Sequence, residues 1–197
     1  MNKSIIKDAL ILFVITLIAG FGLGAVHQIT AEPIEKANYN IQQEAYKTVF
    51  PDAAKFVDMD GFDSDAATKI VSDAGYPDTI EGCVLAEDNS GNTLGYVITV
   101  TDPNSYGGNV TFSLGITEDG TLNGYSITSI NDTPGLGMKA KEPSFYEQYE
   151  GVQTSQFYVS KDGGDGEPID AISGATITSR AMTGAVNEAL GYFAEAF

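Results

Sequence analysis

The sequence predicts an α+β protein, with an N-terminal transmembrane helix followed by an extracytoplasmic domain of antiparallel sheet flanked by helices. Three observations carry this. Residues Ala9 to Ala31 contain no Asp, Glu, Lys or Arg. Between Ile80 and Ile130 the apolar pattern has period two and is broken by short Asp, Asn and Gly turns. From Ser179 to Phe197 the apolar residues return at helical spacing.

The first segment is the clearest. Its apolar core runs from Ala9 to Val26. A hydrocarbon layer takes about 20 helical residues to cross, so this run is long enough. A signal peptide has a shorter apolar region, about 7–15 residues, and ends at a small-x-small site. The exit here, His27-Gln28-Ile29-Thr30-Ala31-Glu32-Pro33, has no convincing site of that kind. The segment therefore reads as an uncleaved single-pass cell-membrane anchor. Gly20, Gly22 and Gly24 either make a patch for a second membrane helix or are ordinary membrane-helix glycines. Lys3 and Lys7 precede the run, whereas Glu32 and Glu35 follow it. The positive-inside rule puts the N-terminus in the cytoplasm and the rest outside.

Three regions follow from this: a cytoplasmic tip and anchor over 1–31, a helical and mixed connecting region over 32–78, and a domain over 79–197. Ile34, Ala37, Ile41, Ala45 and Val49 recur at helical spacing, with Pro33 suited to a first turn. Residues 52–78 read as loop, short strand and short helix. Strands are expected at Cys83–Ala86, Leu94–Val100, Asn109–Ile116 and Leu122–Ile130. A short helix at Ser144–Tyr149, a short strand at Gln156–Val159 and a Gly/Asp-rich loop at Lys161–Pro168 follow. In the last helix, Met182, Val186, Leu190, Phe193 and Phe197 form an apolar stripe, which reads as core packing against the sheet.

Composition removes several function classes. The net charge is −17, and the first 31 residues carry +1, so the remainder carries −18. Nucleic acid is excluded as a partner, because neutralising phosphates needs Lys and Arg. Most carboxylates read as a solvated acidic surface. One cysteine, Cys83, builds no disulfide and no thiolate metal or iron–sulfur site. The one histidine, His27, lies beside the apolar run, so histidine catalysis and histidine metal sites are not expected outside the membrane. Redox chemistry in this chain needs an organic cofactor.

Three polar or small stretches lie outside the strand cores: Tyr106-Gly107-Gly108, Asn131-Asp132-Thr133-Pro134-Gly135-Leu136-Gly137, and Asp170 to Ser179. The last precedes a helix. There the free backbone N–H groups favour an anion such as a phosphate. Read locally, it is either that anion anchor or a plain capping turn. Together the three suggest loops converging on one ligand.

Ser173-Gly174-Ala175-Thr176, preceded by Asp170 and followed by Ile177-Thr178-Ser179, resembles the flavinylation motif of FMN-binding domains. In those domains a dedicated flavin transferase esterifies the FMN phosphate to the last Thr of the run. Thr133-Pro134-Gly135-Leu136-Gly137 resembles a second signature of the same domains, usually written with Glu where Asp132 stands. With the single anchor and the short length, the whole chain is similar to the G subunits of Rnf complexes.

The resemblance implies covalent FMN on Thr176, within an FMN-binding domain over 79–197. Cofactor contacts are implied from Tyr106, Thr133, Gly135, Leu136, Gly137, Ser173, Gly174, Ala175 and Thr178. Asp170 is implied as an element read by the transferase. Arg180 either adds charge at the phosphate or is an ordinary solvated helix residue. The implied function is electron relay within a membrane-bound translocase that couples electron flow between ferredoxin and NAD to Na⁺ or H⁺ movement. No catalytic site of its own and no metal are expected. Implied partners are the other Rnf subunits, notably the membrane subunits including a second covalent-FMN subunit, and the transferase. Three alternatives remain open: the C subunit of a Na⁺-translocating NADH:quinone oxidoreductase, a stand-alone flavinylated extracytoplasmic electron carrier, and a non-redox anchored binding module.

Overall fold

The structure is a computed structural model and describes residues 3–197. Helix α1 runs Lys3–Val49, with Pro33 inside it. The sequence left open a helix over 32–49 that continues from the membrane or starts beside it. It continues, and Pro33 lies inside it rather than in a first turn, with the loss of one backbone donor that proline imposes. Its apolar stretch is long enough to cross a membrane and is wholly exposed. Phe13, Ile15, Leu17, Phe21 and Leu23 are among its uncovered side chains. An apolar surface of that kind is stable only against lipid or another apolar partner.

The chain forms two compact units, Met1–Ile41 and Gln42–Phe197. Most of the segment read as a connecting region therefore folds with the sheet. The reason lies in its side chains. Tyr46, Val49, Phe50 and Ala53 are buried in one cluster with Val84, Ala86 and Val97.

In the second unit, β1 (Lys55–Asp58) and α2 (Ser64–Asp73) precede β2 (Thr79–Glu87), β3 (Thr93–Ser105), β4 (Gly108–Thr117) and β5 (Leu122–Ile130). Asp63 caps α2, accepting from the backbone N–H of Asp65 at 2.9 Å and of Ala66 at 3.3 Å. The five strands pair antiparallel in chain order, a meander without crossovers. Short turns such as Asp88–Asn92 set this topology, since two-stranded reversals need only a few residues.

Period two then sorts the side chains. Ile98 and Val100 face the main core, with Phe112 and Leu114 from β4, whereas Val97 faces the cluster around Val49 and Phe50. The central strands are thus covered on both faces. Helix α4 (Thr176–Ala196) covers the main-core face through Met182, Ala185, Val186 and Ala189. Phe193 is half-buried. Phe197, expected in the stripe, is half-exposed and packs on Tyr96 and Tyr192.

Between β5 and α4 come a 3-10 turn at Gly137–Lys141, the short helix α3 (Pro143–Tyr146) with a 3-10 turn to Tyr149, and two short strands. These strands, β6 (Phe157–Val159) and β7 (Glu167–Ile169), pair in parallel. The sequence indicated β6 but read most of β7 as loop, because three residues starting Glu-Pro carry no alternation. Cys83 is buried, and burial pushes its thiol up to about 12.

Candidate functional site

The site is assembled from three turns that the meander leaves at one place. The β3–β4 hairpin ends at Tyr106-Gly107, with Ser105 opposite Gly108. The loop after β5 carries Asp132 to Gly137. The third piece is the entry to α4.

Asp132 clasps all three. Its carboxylate is buried. It accepts from Ser105 Oγ at 2.9 Å, from the Gly107 backbone N–H and from Thr178 Oγ1. Three donors satisfy a buried polar group that would otherwise be costly. The closeness of this clasp explains Gly137. A Cβ there would run into the Asp132 carboxylate and the Thr178 hydroxyl. Below the loop, Tyr125 donates to the Ala140 carbonyl at 2.8 Å and ties the 3-10 turn to the sheet.

Helix α4 begins at Thr176, three residues earlier than the apolar stripe indicated. Its N-cap is Ala175, and no side chain caps it. The sequence left a Ser/Thr capping turn as one reading. The nearby hydroxyls are instead engaged otherwise. Ser179 Oγ accepts from the Ile172 N–H and donates to the Ala175 carbonyl, both at 2.9 Å. Thr178 is spent on Asp132. Gly174 makes the bend before the helix with φ 78°, a left-handed conformation that glycine adopts without strain. The first-turn N–H groups of a 21-residue helix are left without a side-chain cap, the arrangement that favours an anion.

These turns enclose a cleft of about 520 Å³, within the range of cofactor pockets, roughly 300–1,000 Å³. Tyr106, Thr133, Leu136, Gly137, Gly174, Ala175, Thr176, Ile177 and Thr178 line it. Tyr106 is 69% exposed, Leu136 41% and Ile177 51%. Three large apolar or aromatic side chains at one opening offer a surface for a flat ring. Of the residues singled out by sequence, Asp170, Ser173 and Gly135 are not in the lining. Asp170 is exposed. Its carboxylate accepts from Ser160 Oγ at 2.9 Å, and its N–H donates to Gln148 Oε1 at 2.7 Å.

Two basic residues stand by the helix start. Arg180 makes a bidentate ion pair with Asp162, Nε to Oδ2 at 2.7 Å and Nη2 to Oδ1 at 2.5 Å. That pair holds the Asp162 carboxyl below its usual range. Arg180 is thus held by Asp162 while 56% of its side chain stays accessible. The basic group at Thr176 is Lys161, whose Nζ donates to Thr176 Oγ1 at 2.8 Å. The sequence reading missed Lys161 and Ile177 as lining or partner residues. Ile177 was legible as an exposed position in the first turn of the helix. Lys161 was not, since only the β6–β7 connection brings it there.

A second cleft, of about 390 Å³, shares Ile177 with the first and is lined by Tyr76, Asp78, Asp102 and Arg180 among others. Asp78, Asp102 and Glu188 are all buried there or just behind it. Burial, then the adjacent Glu188 carboxyl, pushes Asp78 up to about 9. Burial raises Glu188 too, and pushes Asp102 up to about 6. No donor among the described residues reaches Asp78 Oδ1 or either Glu188 oxygen. The pair is satisfied when a proton is held between the two carboxyls.

The chain is similar to known proteins along most of its length. Residues 1–49 match the RnfG N-terminal region, and residues 105–191 match the FMN-binding domain, a span that contains all three turns. The G subunit of the Na⁺-translocating ferredoxin:NAD⁺ oxidoreductase complex of Acetobacterium woodii is 34% identical over 192 residues, 94% of this chain and 89% of that one. The G subunit of the proton-translocating ferredoxin:NAD⁺ oxidoreductase complex of Clostridium ljungdahlii is 31% identical over 191 residues, 93% of this chain and 92% of that one. A crystal structure of Shewanella oneidensis NqrC overlays 57% of this chain and 59% of its own, with a TM-score of 0.48 and 20% identity. On the sequence identity and the near-complete coverage of its relatives, the chain belongs to the family of G subunits of Rnf-type ion-translocating oxidoreductase complexes, with an FMN-binding domain following its N-terminal helix.

Proposed function

We propose that this chain is the G subunit of a membrane-bound oxidoreductase complex, that it carries FMN through a phosphoester on Thr176, and that it relays electrons between neighbouring redox centres. The observation that carries this reading is the position of Thr176. Its hydroxyl lies in a cleft of cofactor size, at the uncapped start of α4.

The residues present fit the group. The phosphate belongs at the α4 N-terminus, where backbone N–H groups and the Lys161 ammonium supply positive charge. Tyr106, Leu136 and Ile177 offer apolar surface to the ring, and Gly174 lets it approach the backbone. When bound, FMN supplies the electron-accepting and electron-donating chemistry. The chain's own residues bind, orient and exclude water. Asp132 holds the three turns in register and stays out of the cleft's chemistry, because its oxygens are already spent on Ser105, Gly107 and Thr178. Neither a general base nor a nicotinamide pocket is assigned to this chain.

In this reading α1 crosses the membrane once and the second unit lies on the extracytoplasmic side, as the flanking charge implies. Asp170, exposed and next to the motif, is the element that the flavin transferase reads. A covalent link suits that compartment, where a dissociated cofactor is not readily replaced. The relatives are named for different coupling ions, so family membership selects neither Na⁺ nor H⁺ for this chain.

The test is to co-express the full chain with a flavin transferase, purify it from membranes and precipitate it with acid. The yellow colour and flavin fluorescence are expected in the pellet. Flavin released wholly into the supernatant would show that the cofactor is not covalently held.

A further inference from the structure

The two basic residues beside Thr176 do different jobs. Arg180 is committed to Asp162 by two hydrogen bonds, so that carboxylate is neutralised. Asp162 immediately follows Lys161. Without Arg180 it would be the natural partner of the Lys161 ammonium. With Arg180 in place, Lys161 points elsewhere, and its hydrogen bond goes to the Thr176 hydroxyl at 2.8 Å, across 15 residues of sequence. Holding a long lysine side chain in one direction costs rotamer entropy, and an exposed ammonium gains little from a neutral hydroxyl. An anion formed at the same place would strengthen the contact. The chain as a whole is acidic, with 27 acidic residues against 10 basic ones.

We propose that Lys161 is the residue that positions the Thr176 hydroxyl for flavin transfer and then balances the charge of the phosphodiester formed on it. This rests on the reading of Thr176 as the attachment point. Esterification by a free monophosphate would have to expel water, so the donor must be a phosphoanhydride such as a flavin dinucleotide. The Thr176 Oγ1–phosphorus bond forms and the anhydride P–O bond breaks. A nucleoside monophosphate leaves, and the hydroxyl proton passes to a base on the transferase. The Lys161 N–H donates to Oγ1 as the hydroxyl proton leaves, and afterwards to a phosphoryl oxygen one bond further out. Asp162 and Arg180 keep that ammonium from being drawn away.

The experiment follows covalent loading of the full-length chain in detergent, with transferase and flavin dinucleotide supplied. Initial rates are read as in-gel flavin fluorescence after denaturation, with acceptor concentration varied. The wild type, T176A, K161A, K161R and K161E are compared, along with the thermal unfolding of each unloaded protein. The wild type should load and T176A should not. K161A should lower the maximal rate by about tenfold, below the roughly 10²–10³ seen for buried donors because Lys161 is exposed. K161E should lower it further, K161R should restore most of it, and unfolding should be unchanged in all three. Added salt should slow the wild type more than K161A.

If the wild type fails to load, or T176A loads, the attachment reading itself falls. If those two behave as expected but K161A and K161E load at the wild-type rate, Lys161 has no such role. Slow loading that tracks a lowered unfolding temperature, and that K161R fails to rescue, would also overturn the proposal, since that pattern belongs to a structural residue.

Discussion

Thr176 and Thr178 stand two residues apart and do opposite work. Thr176 is half-buried in the cleft and, among the described residues, its hydroxyl is bonded to Lys161 alone. Thr178 is fully buried and donates a hydrogen bond to Asp132. The resemblance implied Thr176 as the attachment point and Thr178 as a cofactor contact. The bond from Thr178 to Asp132, 46 residues upstream, was not legible in the sequence. T178A should therefore destabilise the unloaded protein by about 1–3 kcal/mol in urea unfolding, because it removes a donor from a buried carboxylate. T176A should change that stability by less than about 0.5 kcal/mol. A Cβ at Gly137 would press on the same carboxylate, so G137A should cost roughly 1–3 kcal/mol by overpacking.

The strands of the meander were legible because each alternates and ends in Asp, Asn or Gly, and the final helix because its stripe repeats every three to four residues. Elements without period were not. β7 has three residues and a proline, and Pro33 left undecided whether the helix beyond the membrane starts there or, as it does, runs through. The buried acids were equally hidden, since nothing in the sequence distinguishes Asp78 and Glu188 from the solvated carboxylates around them. They join the start of β2 to the face of α4. Their pH behaviour follows from the direction of their shifts. Both are raised above their unfolded values, so the folded state binds more protons than the unfolded one. The stability they contribute is full below about pH 4. It is lost as the pH rises through the Asp78 value of about 9. Unfolding free energy measured from pH 5 to 9 should decline, by at most about 1.4 kcal/mol per unit for each proton involved. E188Q should flatten that decline, and an unchanged slope in E188Q would show that the pair is not its source.

The whole molecule divides into an apolar helix and a sheet domain, and each makes its own prediction. The full chain should remain with membranes after an alkaline carbonate wash, because the exposed apolar stretch of α1 needs lipid. A chain beginning near Gln42, where the second compact unit begins, should appear in the soluble fraction and unfold at the same temperature as the domain in the full protein. A shifted midpoint would mean that the helix stabilises the sheet. The site was legible at this scale as three separated motifs, but its clasp, its lysine and its cleft came only from the topology that brings hairpin, loop and helix start together. The central claim is covalent FMN on Thr176, and peptide mapping by mass spectrometry tests it most directly. The account predicts one FMN phosphoester on the peptide holding Ser173 to Ser179, fragmenting at Thr176 and absent in T176A. An adduct that persists in T176A, or that maps to Thr178 or Ser173, would contradict it.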